Sequence, residues 1–133
     1  MAEKISLDES FEYSLHNFSQ WLEIITLEPI ELCNAWGNYN VAWEIVSDLN
    51  TDGIAAISNP CSYLDVRQKQ AIQDFLASLG GIPKSVLVGA ASIVANQEAM
   101  SHPCWLPFKT SAIALIKTLE PAATRNKEYF STL

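Results

Sequence analysis

Phe11, Leu15, Phe18, Leu22 and Ile25 recur at steps of four and three, the spacing of one buried helical face. At 100° per residue these five fall within an arc of about 80°. Ser6 and Glu9 stand at capping-box spacing ahead of them, so the pattern predicts a helix from about Ser6 to Thr26. Glu9, Glu12, His16 and Glu23 land together on the other side. The expectation is a helix with an apolar stripe inward and an acidic one outward.

Further along, Pro29 suits the first position of a short helix ending near Gly37. A third helix is expected from about Asn40 to Leu49, with Val41, Trp43, Ile45, Val46 and Leu49 apolar and Asn50-Thr51-Asp52-Gly53 as its stop. Ile54 to Ile57 adds one turn before Asn59-Pro60. Ser62 to Leu79 forms the next helix, with Ser62 and Asp65 as a capping pair and Gly80-Gly81 as the terminator. Pro83 to about Gln97 is nearly all apolar or small, which predicts a helix in the centre of the bundle. Residues 98–108 read as an irregular connection, Thr110 to Leu119 as a helix, and Glu120-Pro121 as the start of a last one reaching about Tyr129. The fold class is therefore all-α: a compact bundle of about six or seven helices, several short, forming one helical domain over 1–133.

Composition supports a folded core, since 49% of residues are hydrophobic and only 17% charged. No apolar run approaches the ~20 residues of a membrane span, and the first residues carry neither basic leader nor apolar segment. A cytoplasmic protein without a membrane partner is expected. Cys33, Cys61 and Cys104 are odd in number and widely spaced, which suits reduced thiols better than disulfides.

Charge adds an asymmetry. Residues 1–65 hold eleven acids and one base, and the remainder seven bases and four acids, within a net charge of −7. Phosphate binding needs clustered bases, so nucleic acid is excluded as an expected partner and a basic protein is favoured.

Several residue groups carry candidate chemistry. Asp48-Leu49-Asn50-Thr51-Asp52-Gly53 matches the opening of a calcium loop. The twelfth position, which should carry a carboxylate, is Asn59, and the eighth is Ala55 rather than a large apolar residue. A helix-ending turn accounts for the same residues. His102 and Cys104 are close but separated by Pro103, an awkward pair for zinc, and Cys104 as a nucleophile would need a thiolate-stabilising setting. Paired carboxylates such as Glu9 with Glu12 and Glu44 with Asp48 lack the Glu-x-x-His signature of di-iron bundles. No catalytic residue, cofactor or metal is expected, and the chain reads as a non-enzyme.

Four tryptophans are many for this length, and Trp36-Gly37-Asn38-Tyr39 brings aromatics into a polar turn beside the acids. The compact acidic helical type resembles the immunity proteins that bacteria make alongside contact-dependent growth-inhibition toxins. That resemblance implies a cytosolic protein that binds a cognate toxin domain, often a basic nuclease, and covers its active site or substrate surface. On this reading Glu9, Glu12, His16, Glu23, Glu44, Asp48 and Asp52 form the acidic contact face, with Trp36 and Tyr39 as anchors. A helical adaptor or scaffold without catalytic activity is the alternative, and the oligomeric state is left open.

Overall fold

The computed structural model describes residues 6–26, 41–87 and 92–132. The fold is all-α. Among the described residues there are seven α-helices, α1 (Leu7–Ile24), α2 (Val41–Ser58), α3 (Val66–Ser78), α4 (Lys84–Leu87), α5 (Ile93–Met100), α6 (Trp105–Thr118) and α7 (Glu120–Ser131), with a 3₁₀ turn at Leu79–Gly81 and no strand. The expected helix from Pro29 to Gly37 lies outside the described residues, as do Trp36 and Tyr39.

Helix α1 begins where the Ser6 hydroxyl accepts the backbone N–H of Glu9 at 3.1 Å, satisfying one of the free donors of the first turn. Its stripe of Phe11, Leu15, Phe18 and Leu22 is at most 1% exposed. Burying each such side chain contributes roughly 1.5–3 kcal/mol, so α1 is the hub of the core. It packs most extensively on α2, which packs on α3; α3 meets α6, and α6 returns to α1. These four helices close a ring, α7 lies against α1 and α6, and α5 lies against α2.

Four boundaries differ from the sequence reading. First, α2 does not stop at Asn50 but runs unbroken to Ser58. Gly53 is buried inside it, and a Cβ there would stand 2.9 Å from both Leu76 Cδ1 and Phe18 Cε1. The glycine is thus a point of close approach for three helices rather than a terminator. Asn59 ends the helix: its amide donates to Leu7 O at 3.0 Å and its Oδ1 accepts from Cys61 N–H at 2.8 Å.

Second, the cap of α3 is Asp65 itself. Its carboxylate accepts Gln68 N–H at 2.7 Å while Gln68 Oε1 accepts Asp65 N–H at 3.0 Å, a reciprocal capping box. Ser62 lies upstream of it, so the helix opens at Val66 rather than at Ser62.

Third, the single central helix expected over Pro83–Gln97 is two segments. Ser92 has extended backbone and its hydroxyl accepts Ala95 N–H at 3.1 Å, so a new helix starts there. That helix is peripheral, with Val94 65% exposed. Its buried Asn96 accepts the backbone N–H of Val41 at 3.1 Å, satisfying a free donor at the start of α2.

Fourth, α6 begins at Trp105 rather than Thr110. Pro107 falls in its first turn, where no N–H is required. The buried Trp105 donates its indole N–H to Ala99 O at 2.9 Å and so closes the α5–α6 corner.

Candidate functional site

The acidic side of α1 divides into one buried residue and several exposed ones. Glu12, expected at the surface, is 5% exposed. It lies about 100° around the helix from Phe11, on the flank covered by Tyr63 and α7. The Tyr63 hydroxyl donates to Glu12 Oε1 at 2.6 Å and stands 3.4 Å from Ala122 O. The Asn126 amide reaches the same Oε1 at 3.1 Å and the Glu12 backbone oxygen at 2.9 Å. Phe11 packs edge-on to the Tyr63 ring at 4.6 Å, and the Arg125 guanidinium carbon lies 3.9 Å over that ring. Burial, the hydrogen bond to Glu12 and the Glu12 charge push the Tyr63 phenol above its ordinary pKa, with Arg125 opposing them. Glu12 is therefore a tie between α1, the segment after α2, and α7, and it is not available for partner contact.

Above this tie an aromatic group reaches the surface along the α1–α7 seam. The Phe130 ring lies 5.2 Å from Tyr13 and 5.1 Å from His16 in tilted contacts, and meets Tyr129 edge-on at 5.2 Å. Tyr13 is 46% exposed. Asp8 and Glu9 lie exposed in the first turn of α1 beside it. The Tyr129 phenol is pushed upward by burial and by the negative field of Glu9, Glu12, Tyr13 and Asp8. Solvent-accessible rings flanked by carboxylates make a surface that offers apolar contact and anionic charge together.

Of the residues expected to bind a partner, Glu9 and His16 stand at this group. Glu23 lies two turns beyond His16, on the rim of a cleft between α1 and the α6–α7 pair. The hydrophobic pattern does not single out Tyr13, Tyr129 and Phe130. The signals were available: Tyr13 is an aromatic outside the apolar stripe of α1, and Tyr129-Phe130 interrupts an otherwise polar helix.

Glu44, Asp48 and Asp52 form a separate row on α2, spaced i, i+4 and i+8, each half-buried. Burial first, and the neighbouring Asp48 second, raise the Asp52 carboxyl above its ordinary value. The calcium loop, disfavoured on Asn59 and Ala55, has no counterpart at Asp48–Gly53, which is helical. In continuous helix, Asn50 points about 200° away from both Asp48 and Asp52, so the three cannot wrap one cation, and the Asn50 amide instead donates to Val46 O at 3.1 Å. The helix-ending turn is corrected by the same continuity.

The remaining sulfur and histidine groups are engaged otherwise. His102 Nδ1 accepts the backbone N–H of Cys104 at 3.0 Å, so that nitrogen does not face the thiol as a base. Burial raises the Cys104 thiol, and the Asp8 carboxylate followed by burial raises that of Cys61, which leaves both protonated near neutrality. Cys33 lies outside the described residues. Among the described residues, no helix is long and apolar enough to cross a membrane. No family model, curated protein or solved structure matches this chain.

Proposed function

We propose that this chain is a binding protein that neutralises a basic protein, a toxin nuclease domain in the first instance, by covering its substrate surface with the acidic and aromatic end of the α1–α7 seam. The observation that carries the reading is the cluster of Tyr13, Phe130 and Tyr129 beside Asp8 and Glu9. A nuclease presents cationic residues to phosphate, and carboxylates can occupy them in place of nucleic acid. Rings held by packing lose little freedom on binding and serve as anchors. The net charge of −7 adds long-range attraction and speeds encounter.

The test is titration calorimetry against the basic nuclease domain of any toxin gene found next to this chain's gene, at about 50 and about 300 mM salt. Phe130→Ala and Tyr13→Ala are expected to weaken binding about 30-fold. Glu9→Lys is expected to weaken it chiefly at low salt, and the complex should lack nuclease activity. Equal affinity for all three variants, or binding indifferent to salt, would overturn the proposal.

The adaptor reading has one observation in its favour. Leu106 and Ile113, seven residues apart on one face of α6, are 64% and 57% exposed. Self-association that is lost in Ile113→Glu, with the seam variants unaffected, would favour it over the inhibitor reading.

A further inference from the structure

Helix α6 carries two stripes, and the core uses only one of them. Trp105, Phe108, Ala112 and Leu115 are buried, while Leu106, Thr110, Ile113 and Lys117 follow one another at steps of four, three and four on the opposite side. At 100° per residue these four fall within an arc of about 60°. All four are exposed, Leu106 by 64% and Ile113 by 57%. Steps of three and four are the spacing by which one helix receives another.

The charge beside this stripe is of one sign. Helix α6 contains Lys109 and Lys117 and no acid, and the next acid along the chain, Glu120, belongs to α7. Lys109 stands about 40° from Ile113 on one side of the stripe. On the other side, Lys117 lines a cleft of about 530 Å³ between α3 and α6 together with Arg67. The carboxylate in that cleft, Asp65, accepts the backbone N–H of Gln68 at 2.7 Å and is committed to capping α3. Three cationic groups thus flank two exposed apolar residues, in a chain whose net charge is −7.

We propose that the exposed stripe of α6 docks an amphipathic helix of a partner protein, one whose apolar residues are flanked by carboxylates. Charge complementarity selects this occupant. A second copy pairing α6 with α6 would set lysines against lysines, with no acid in either helix to offset them. An anionic bilayer would attract the lysines but repel the molecule as a whole, at −7. An acidic helix suits both features: its apolar residues cover Leu106 and Ile113, and its carboxylates reach Lys109 on one flank and Lys117 with Arg67 on the other. The inference goes beyond the neutralisation of a basic protein, since it uses another face and a partner of opposite charge.

The test uses a fluorescein-labelled peptide of three Glu-Ile-Ala-Ala-Leu-Glu-Gln heptads, and the same peptide with Gln for every Glu as its neutral control. Each is titrated with the full chain at about 150 mM salt, which screens the net repulsion, and followed by fluorescence anisotropy. The expected result is saturable binding of the acidic peptide, with a dissociation constant of about 0.1 mM or tighter, and binding of the neutral one at least fivefold weaker. Ile113→Ser, an exposed substitution, should weaken the acidic peptide fivefold or more. Lys109→Gln combined with Lys117→Gln should do the same and leave the neutral peptide unchanged. No saturation, equal binding of the two peptides, or indifference to Ile113→Ser would each overturn the proposal. Self-association of the chain that Ile113→Ser abolishes would overturn it in favour of a second copy, and Ile113-dependent sedimentation with phosphatidylserine vesicles in favour of a bilayer. Tyr13→Ala and Phe130→Ala should leave peptide binding unchanged, so loss of the nuclease interaction with peptide binding intact would count against the proposed function alone.

Discussion

The hydroxyl of Tyr63 donates a 2.6 Å hydrogen bond to the carboxylate of Glu12, across fifty-one residues of chain. That bond joins the segment after α2 to the helix at the centre of the core. Through Asn126, which bonds the same carboxylate, it also seats α7 and the Phe130 ring that α7 carries. A charged residue in the interior is tolerable only when its oxygens are satisfied, and among the described residues no buried side-chain polar atom is without a partner.

Tyr63→Phe deletes this hydroxyl and keeps the ring under Arg125 and against Phe11. Because the acceptor is a carboxylate, the expected loss is about 1.5–3 kcal/mol, read as a lower urea midpoint. The pH dependence follows from the upward shift of the phenol from an ordinary value of 10.0. Above that value the unfolded chain gives up its proton while the folded chain keeps it, so stability falls as pH rises. Wild type should therefore lose stability between about pH 9 and pH 11 more steeply than Tyr63→Phe. Parallel slopes for the two proteins would show that the phenol is not held in the protonated form.

Gly53 tests the three-helix contact. Alanine in a helix is ordinarily better than glycine by about 1 kcal/mol, and here the new methyl would meet Leu76 Cδ1 and Phe18 Cε1 at 2.9 Å. The Leu76 tip can move aside, whereas Phe18 is fully buried and has nowhere to go. Overpacking of this kind costs about 1–3 kcal/mol, so Gly53→Ala should be destabilising by roughly 1 kcal/mol net, and Gly53→Val by considerably more. Thermal unfolding followed by circular dichroism decides it. A stabilised alanine variant would place the glycine at an open position.

Asp52 carries charge where burial and Asp48 oppose it. Between the ordinary carboxyl value of 3.8 and its higher folded value, the folded state holds more protons than the unfolded one, so stability declines as pH rises through that window. At neutral pH, Asp52→Asn removes a like-charge i, i+4 pair and should stabilise by a few tenths of a kcal/mol, about 0.2–0.5. The gain should vanish near pH 3, where the Asp52 carboxyl is protonated. Urea denaturation of both proteins at the two pH values gives the comparison, and a destabilised asparagine variant at neutral pH would contradict it.

The linear sequence by itself determined the helical class, the apolar stripe of α1 with its Ser6 cap, and the opening of α7 at Glu120-Pro121. Each of these is set by residues within one or two turns of each other, and local backbone chemistry decides them. Tertiary structure decided what depends on distant neighbours. Gly53 is a terminator by local preference, and it stays helical because its missing Cβ lets α1 and α3 approach. Glu12 is polar and periodic with Glu9 and His16, and it is buried because Tyr63 and Asn126, far away in the chain, supply the hydrogen bonds that make burial affordable. The seam itself, joining Tyr13 to Phe130, was illegible for the same reason: each half is an unremarkable aromatic until α7 folds back on α1.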